Sequence, residues 1–138
     1  MEYKRLGNSI VVRAQKGEEV ISLLARLIDE EKITCGRVTG IGAADKITIG
    51  LYSVDTQEYR KVTIEEEMEI LSLSGNLTRK DGNPYVHVHG SFATLDKVYG
   101  GHVNEVWISA TAEIIIDVID LVVERETDKE TGLNLIKL

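Results

Sequence analysis

Trp107-Ile108-Ser109-Ala110-Thr111-Ala112-Glu113-Ile114-Ile115-Ile116-Asp117-Val118-Ile119-Asp120-Leu121-Val122-Val123 is the longest apolar region of the chain. Isoleucine and valine dominate it. Their branched Cβ atoms lose χ1 freedom in a helix but fit the pleated surface of a sheet. The run reads as one long strand or two consecutive ones, and a chain built around it is a sheet protein.

Working outward, one segment breaks this pattern. From Glu18 to Lys32 the apolar residues Val20, Leu23, Leu24, Leu27 and Ile28 recur at helical spacing and form a single stripe. Glu18 and Glu19 are assigned to the first turn, where carboxylates favour the positive end of the helix dipole. Before the helix, Ser9–Gln15 reads as an opening strand. Val11 and Arg13 are placed on one face, with Ile10 and Val12 divided between the two, and Gly17 ends it.

After the helix the period is two. Ile33–Thr39 is expected as a strand, Gly40–Asp45 as a turn, and Lys46–Ser53 as the next strand. Glu58–Ile64 reads as an edge strand and Met68–Leu77 as another. Asp81-Gly82-Asn83-Pro84 is a turn signal, with the only proline at a strand entrance. Glu124–Leu138 is charged and ends in a docked tail. The expected architecture is α+β: a single domain over residues 1–138, with a mainly antiparallel β-sheet and one principal helix. At 138 residues such a domain buries about two-thirds of its unfolded surface.

Composition narrows the partners. Acidic residues outnumber basic ones by 23 to 16, for a net charge of −7. Phosphate-contacting proteins carry basic patches, and no such Lys/Arg cluster occurs here, so DNA is disfavoured. The N-terminus lacks an apolar signal core, and no apolar run approaches the ~20 residues of a membrane span. The expectation is a cytoplasmic protein without a membrane partner. The single cysteine, Cys35, excludes an internal disulfide and reads as a small core residue.

Several motifs are absent or carry little. Gly40-Ile41-Gly42 lacks the third glycine and following helix of a dinucleotide site. There is neither a phosphate-binding Gly-Lys-Ser/Thr loop nor a Gly-x-Ser-x-Gly elbow. Glu65-Glu66-Glu67 reads as a solvated turn, whereas Glu69, beside Met68 and Ile70, is a candidate for a functional face.

The three histidines are different, because all lie between residues 87 and 102. His87 and His89 are two apart in a strand-forming run, so both rings point to one face. His102 follows Gly100-Gly101, read as a tight turn returning it toward the pair. Three imidazoles with one open position is the pattern of catalytic zinc sites. Three histidines also suit an anion or substrate pocket. Zinc is the default metal, with other divalent transition metals open.

A set of short motifs in order carries a family resemblance. They are Arg13 and Gly17, Gly40-Ile41-Gly42, Glu69-Ile70-Leu71-Ser72-Leu73-Ser74-Gly75-Asn76, Asp81-Gly82 and His87-Val88-His89. Gly100-Gly101-His102, Glu113, Arg125 and Thr131-Gly132-Leu133 complete the set. From about Leu6 to Leu138 the chain resembles the plants-and-prokaryotes conserved domain (PPC) family, long labelled DNA-binding or of unknown function. The resemblance implies a mainly antiparallel fold, assembly as a homotrimer, and a metal on His87, His89 and His102. In plant relatives the domain is joined to Arg-Gly-Arg-Pro segments that grip the minor groove, and this chain has none. The expected function is a zinc-binding homotrimer whose site supports small-molecule hydrolysis or lysis, with Glu69 or Glu113 as candidate general base. The alternative is a DNA-binding or protein-interaction module.

Overall fold

The computed structural model describes residues Met1–Leu138. Strands β1 (Glu2–Leu6) and β2 (Ser9–Gln15) form an N-terminal hairpin, followed by the only α-helix, α1 (Val20–Glu30). Then come β3 (Gly36–Ser53), β4 (Glu58–Ile64), β5 (Met68–Lys80), β6 (Asn83–Ala93) and β7 (Val98–Val118). A short hairpin of β8 (Glu124–Thr127) and β9 (Asn134–Lys137) ends the chain.

All nine strands belong to one sheet, ordered β1-β2-β7-β3-β5-β8-β9, with β4 on β3 and β6 bridging β5 and β7. The pairings β3–β5, β5–β6, β6–β7 and β7–β3 return to their start, so these four strands close on themselves. Every pairing is antiparallel except a single parallel bridge between Arg79 and Glu124. The architecture is therefore mostly β with one short helix, which shifts the expected α+β balance toward the sheet.

The helix stripe is as read. Val20, Leu23, Leu24, Leu27 and Ile28 are all buried and join a core cluster of 26 residues with Ile114, Ile116, Val88 and Phe92. Its start differs from the reading. Glu19 is the N-cap, its carboxylate accepting from the amides of Ile21 and Ser22, and both Glu18 and Glu19 precede the first turn. The amide of Val106 also donates to Glu19, which ties the helix to β7. Its other end is closed by Arg79, which donates to the carbonyls of Ile28 and Ile33.

Four other expectations are corrected. Ile10 and Val12 share one buried face with Ala14, as a period of two requires. Gly40–Asp45 is not a turn, since β3 runs through it with a bulge between Gly40 and Gly42. A Cβ at Gly42 would collide with the β7 backbone at Ala112, so the glycine is there for close strand approach. The central apolar strand begins at Val98 and stops at Val118, before Val123. The tail after Glu124 is a hairpin.

No helix is long and apolar enough to cross a membrane.

Candidate metal centre

His87 and His89 lie on β6, flanking the fully buried Val88, so the rings face away from the core. His102 lies on β7 directly opposite His89. Opposed residues on neighbouring antiparallel strands hold their Cβ atoms about 4.5–5.5 Å apart, which places the third ring beside the first two. The ring centroids are 5.1 Å apart for His87–His102 and 5.3 Å for the other two pairs. Gly100 and Gly101 belong to β7 and pair with Ser91 and Gly90, so no glycine turn brings His102 home. The reversal lies earlier, where the Thr94 amide donates to the Lys97 carbonyl.

Two local features hold this arrangement. A Cβ at Gly75 on β5 would strike the backbone of His87 and Val88, so only glycine lets β5 and β6 pair this closely. On β7, the register passes from Glu105 opposite Thr48 to Val103 opposite Ile49, leaving Asn104 as an extra residue. That bulge lets Val103 and Val106 both face the core while His102 faces out. The Asn104 amide donates to the Tyr59 hydroxyl at 2.6 Å, and the Tyr59 ring stands edge-on to His102 at 6.0 Å.

The donor set suits a divalent transition metal. One nitrogen from each ring lies within 4.8 Å of the others. Tetrahedral zinc with bonds of ~2.0–2.1 Å needs nitrogens about 3.3 Å apart, within reach of small ring rotations. Burial, reinforced by the charges of His102, Arg125 and His89, pulls the pKa of His87 down to about 4. Burial also lowers that of His102, with His89 and Lys61 adding to it. Both rings are therefore neutral near pH 7, with lone pairs free for a cation.

The histidines open into a cavity of about 880 Å³ between β3, β4, β6 and the β8–β9 hairpin. Fifteen residues line it, and none is Asp or Glu. Glu69 instead borders a separate depression with Met68 and Leu95, and Glu113 lines a groove with Arg13 and Ile115. Neither candidate base reaches the histidines within this chain. Sequence reasoning missed Arg125 as a site residue, although it belongs to the motif set. It donates from Nε to Thr78, from Nη2 to Asn76 and from Nη1 to the Asn134 carbonyl, at 2.8, 2.6 and 2.7 Å. Its guanidinium lies 4.5 Å from the centre of the Tyr85 ring.

The fold and site define a class: a small antiparallel β protein presenting three histidines at the mouth of a cavity. The chain belongs to the family of the Plants and Prokaryotes Conserved (PCC) domain, whose sequence profile matches residues 1–120. It is similar to a crystal structure of a plant- and prokaryote-conserved protein from Pyrococcus horikoshii, 30% identical over 99% of this chain and 95% of that one, with a TM-score of 0.87. A metal-containing protein from Archaeoglobus fulgidus is 31% identical over 97% and 95% of the two chains, with a TM-score of 0.86. A DNA-binding candidate from Bacteroides thetaiotaomicron is 26% identical over 99% and 96%, with a TM-score of 0.95. Among curated proteins none matches the sequence.

Proposed function

We propose that this chain is a metal-binding protein that holds a divalent transition metal, zinc by default, on His87, His89 and His102. The carrying observation is the convergence of the three ring nitrogens within 4.8 Å at the mouth of a large cavity. The metal-containing relative from Archaeoglobus fulgidus supports it. A cation there supplies a Lewis acid. The protein's own part is to orient the rings on two paired strands and to frame a small molecule against the cavity wall. With no carboxylate in that wall, hydrolysis or lysis takes its proton acceptor from outside the described cavity or from the ligand itself. The test is elemental analysis of protein purified without a histidine tag. Stoichiometric zinc, lost in His87→Ala, supports the reading; metal-free protein with unchanged binding in His87→Ala removes it.

The same reading includes assembly as a homotrimer. Its support is the groove of about 610 Å³ on the outer sheet face, bordered by Val11, Ile41 and Ile115, which are 55%, 57% and 48% exposed. Covering such a face with a second copy removes apolar surface from water. Light scattering at the mass of three chains supports it, and a monomer at micromolar concentration overturns it.

The second reading is DNA binding, favoured by the description of the Bacteroides relative. The charge of −7 opposes it. Retardation of duplex DNA at low salt, falling steeply as salt rises, would establish it.

A further inference from the structure

Arg125 is a buried cation whose hydrogen-bond partners are all neutral. It is 7% exposed, yet its hydrogen bonds go to a threonine hydroxyl, an asparagine side-chain oxygen and a backbone carbonyl. No carboxylate lies within ion-pair distance of it, whereas all six other arginines have one. A buried charge without a counter-ion is costly, and proteins ordinarily pair it. A guanidinium has five N–H donors, of which three are used, leaving one on each terminal nitrogen. These two donors sit on a residue lining the histidine cavity.

The rest of the wall says what would meet them. It contains no lysine, serine or threonine, and Arg125 is its only fixed cation. The doubly charged phosphate would leave one charge unbalanced against this single fixed cation, whereas a carboxylate carries the one charge that the guanidinium neutralises, and the two spare N–H groups can serve its two oxygens. Beside Arg125 the β8–β9 hairpin contributes Leu133, Leu135 and Ile136, an aliphatic surface. The volume, about 880 Å³, lies in the range of small-molecule pockets.

We propose that this cavity binds a small aliphatic carboxylic acid. Its carboxylate sits on the two spare N–H groups of Arg125, its hydrocarbon lies along Leu133, Leu135 and Ile136, and an uncharged oxygen faces the histidines. Only that last contact rests on the metal reading; the carboxylate seat does not. Arg125 is thus the residue that distinguishes an acid from its neutral ester, and the histidine end acts on the opposite side of the ligand.

Calorimetry with 2-hydroxyisovalerate and its methyl ester tests this, on trimmed, tag-free protein whose zinc content is measured on the same sample. The acid is expected to bind one per chain, about thirtyfold tighter than the ester, the worth of a charge-assisted hydrogen-bond pair. In Arg125→Met the acid should weaken to the level of the ester while the ester is unchanged; Arg125→Lys should fall between. Circular dichroism establishes that each variant is folded, and Arg125→Lys carries the test if Arg125→Met is not. Equal binding of acid and ester by the unsubstituted protein overturns the proposal. So does weakening of both ligands by the same factor in the variants, which is the signature of a merely structural arginine. Inorganic phosphate displacing the acid at lower concentration overturns it as well. Stoichiometric zinc with no acid binding defeats this inference and leaves the metal site standing. Absence of zinc with an acid preference that vanishes in Arg125→Met defeats the metal reading and supports the carboxylate seat.

Discussion

Arg79 and Arg125 lie one residue apart in register, where β5 meets β8, and their surroundings have little in common. Arg79 is satisfied on every side. It donates to the carbonyls of Ile28, Ile33 and Gly82 and to the Asp29 carboxylate at 2.9 Å, closing the C-terminal end of the helix. Arg125 has three neutral acceptors, an aromatic ring and no carboxylate, and it faces a cavity. The first arginine joins a helix to a sheet. The second is held rigidly and left electrostatically unfinished, which is how a ligand-facing cation is built.

The sharpest way to break the comparison is at Arg79. Arg79→Met takes the donors away from two half-buried carbonyls at the helix end and removes an ion pair, so it should cost on the order of 3 kcal/mol in urea unfolding. Zinc binding by the folded fraction should not change. A loss below about 1 kcal/mol would mean that the helix end finds water as readily as it finds the arginine.

The histidine end gives the next effect. If a metal binds the folded chain alone, zinc at about one hundred times its dissociation constant should raise unfolding stability by about 2.7 kcal/mol. EDTA should abolish the gain, and His87→Ala should never show it. Gly75→Ala offers a route to the same loss without touching a ligand, because the new Cβ would push β6 away at His87. A metal that only stabilises the fold would give the zinc gain in full, and hydrolysis or lysis would remain undetectable in every variant.

These contrasts also show what was legible in the sequence. The helix stripe was readable because its period is local, with contacts three and four residues apart. His87 and His89 were readable for the same reason, as neighbours two apart on a strand. His102 joins them through strand pairing, and its glycines suggested a turn because glycine has two uses. At Gly42 and Gly75 it permits strands to approach where a Cβ would collide, and nothing in the local sequence separates that use from a bend. Glu69 and Glu113 could not be placed from the sequence, because a strand's face is set by register and bulges elsewhere in the sheet, and within this chain they line other surfaces than the histidine cavity. Arg125 stands out as a motif residue, but its place in the site depends on Thr78 and Asn76, 47 and 49 positions away.

A smaller effect separates the two arginines by their stability cost. Arg125→Met removes three hydrogen bonds and also removes the penalty of burying an unpaired charge, so the terms oppose each other. The net loss should be about 1 kcal/mol by urea unfolding, well under that of Arg79→Met. Were the two losses equal, Arg125 would be a structural tie of the same kind, and the contrast would collapse.

The smallest expected effect comes from the ring beneath Arg125. Tyr85 covers one face of the guanidinium at 4.5 Å, and Arg79 has no aromatic neighbour of this kind. A cation over an aromatic face is worth about 0.5–1 kcal/mol where water reaches the pair, as it does here from the open cavity that Arg125 and Tyr85 both line. Tyr85→Phe keeps the ring and should leave stability within about 0.3 kcal/mol of the unsubstituted protein, because it is the ring face that meets the guanidinium. Tyr85→Leu keeps apolar bulk but removes the quadrupole, and should lose about 0.5–1 kcal/mol, an effect that disappears in the Arg125→Met background. The double-mutant cycle therefore reads the ring–guanidinium coupling alone. A cycle that sums to zero would mean that Arg125 is aimed by Thr78, Asn76 and the Asn134 carbonyl without help from the ring.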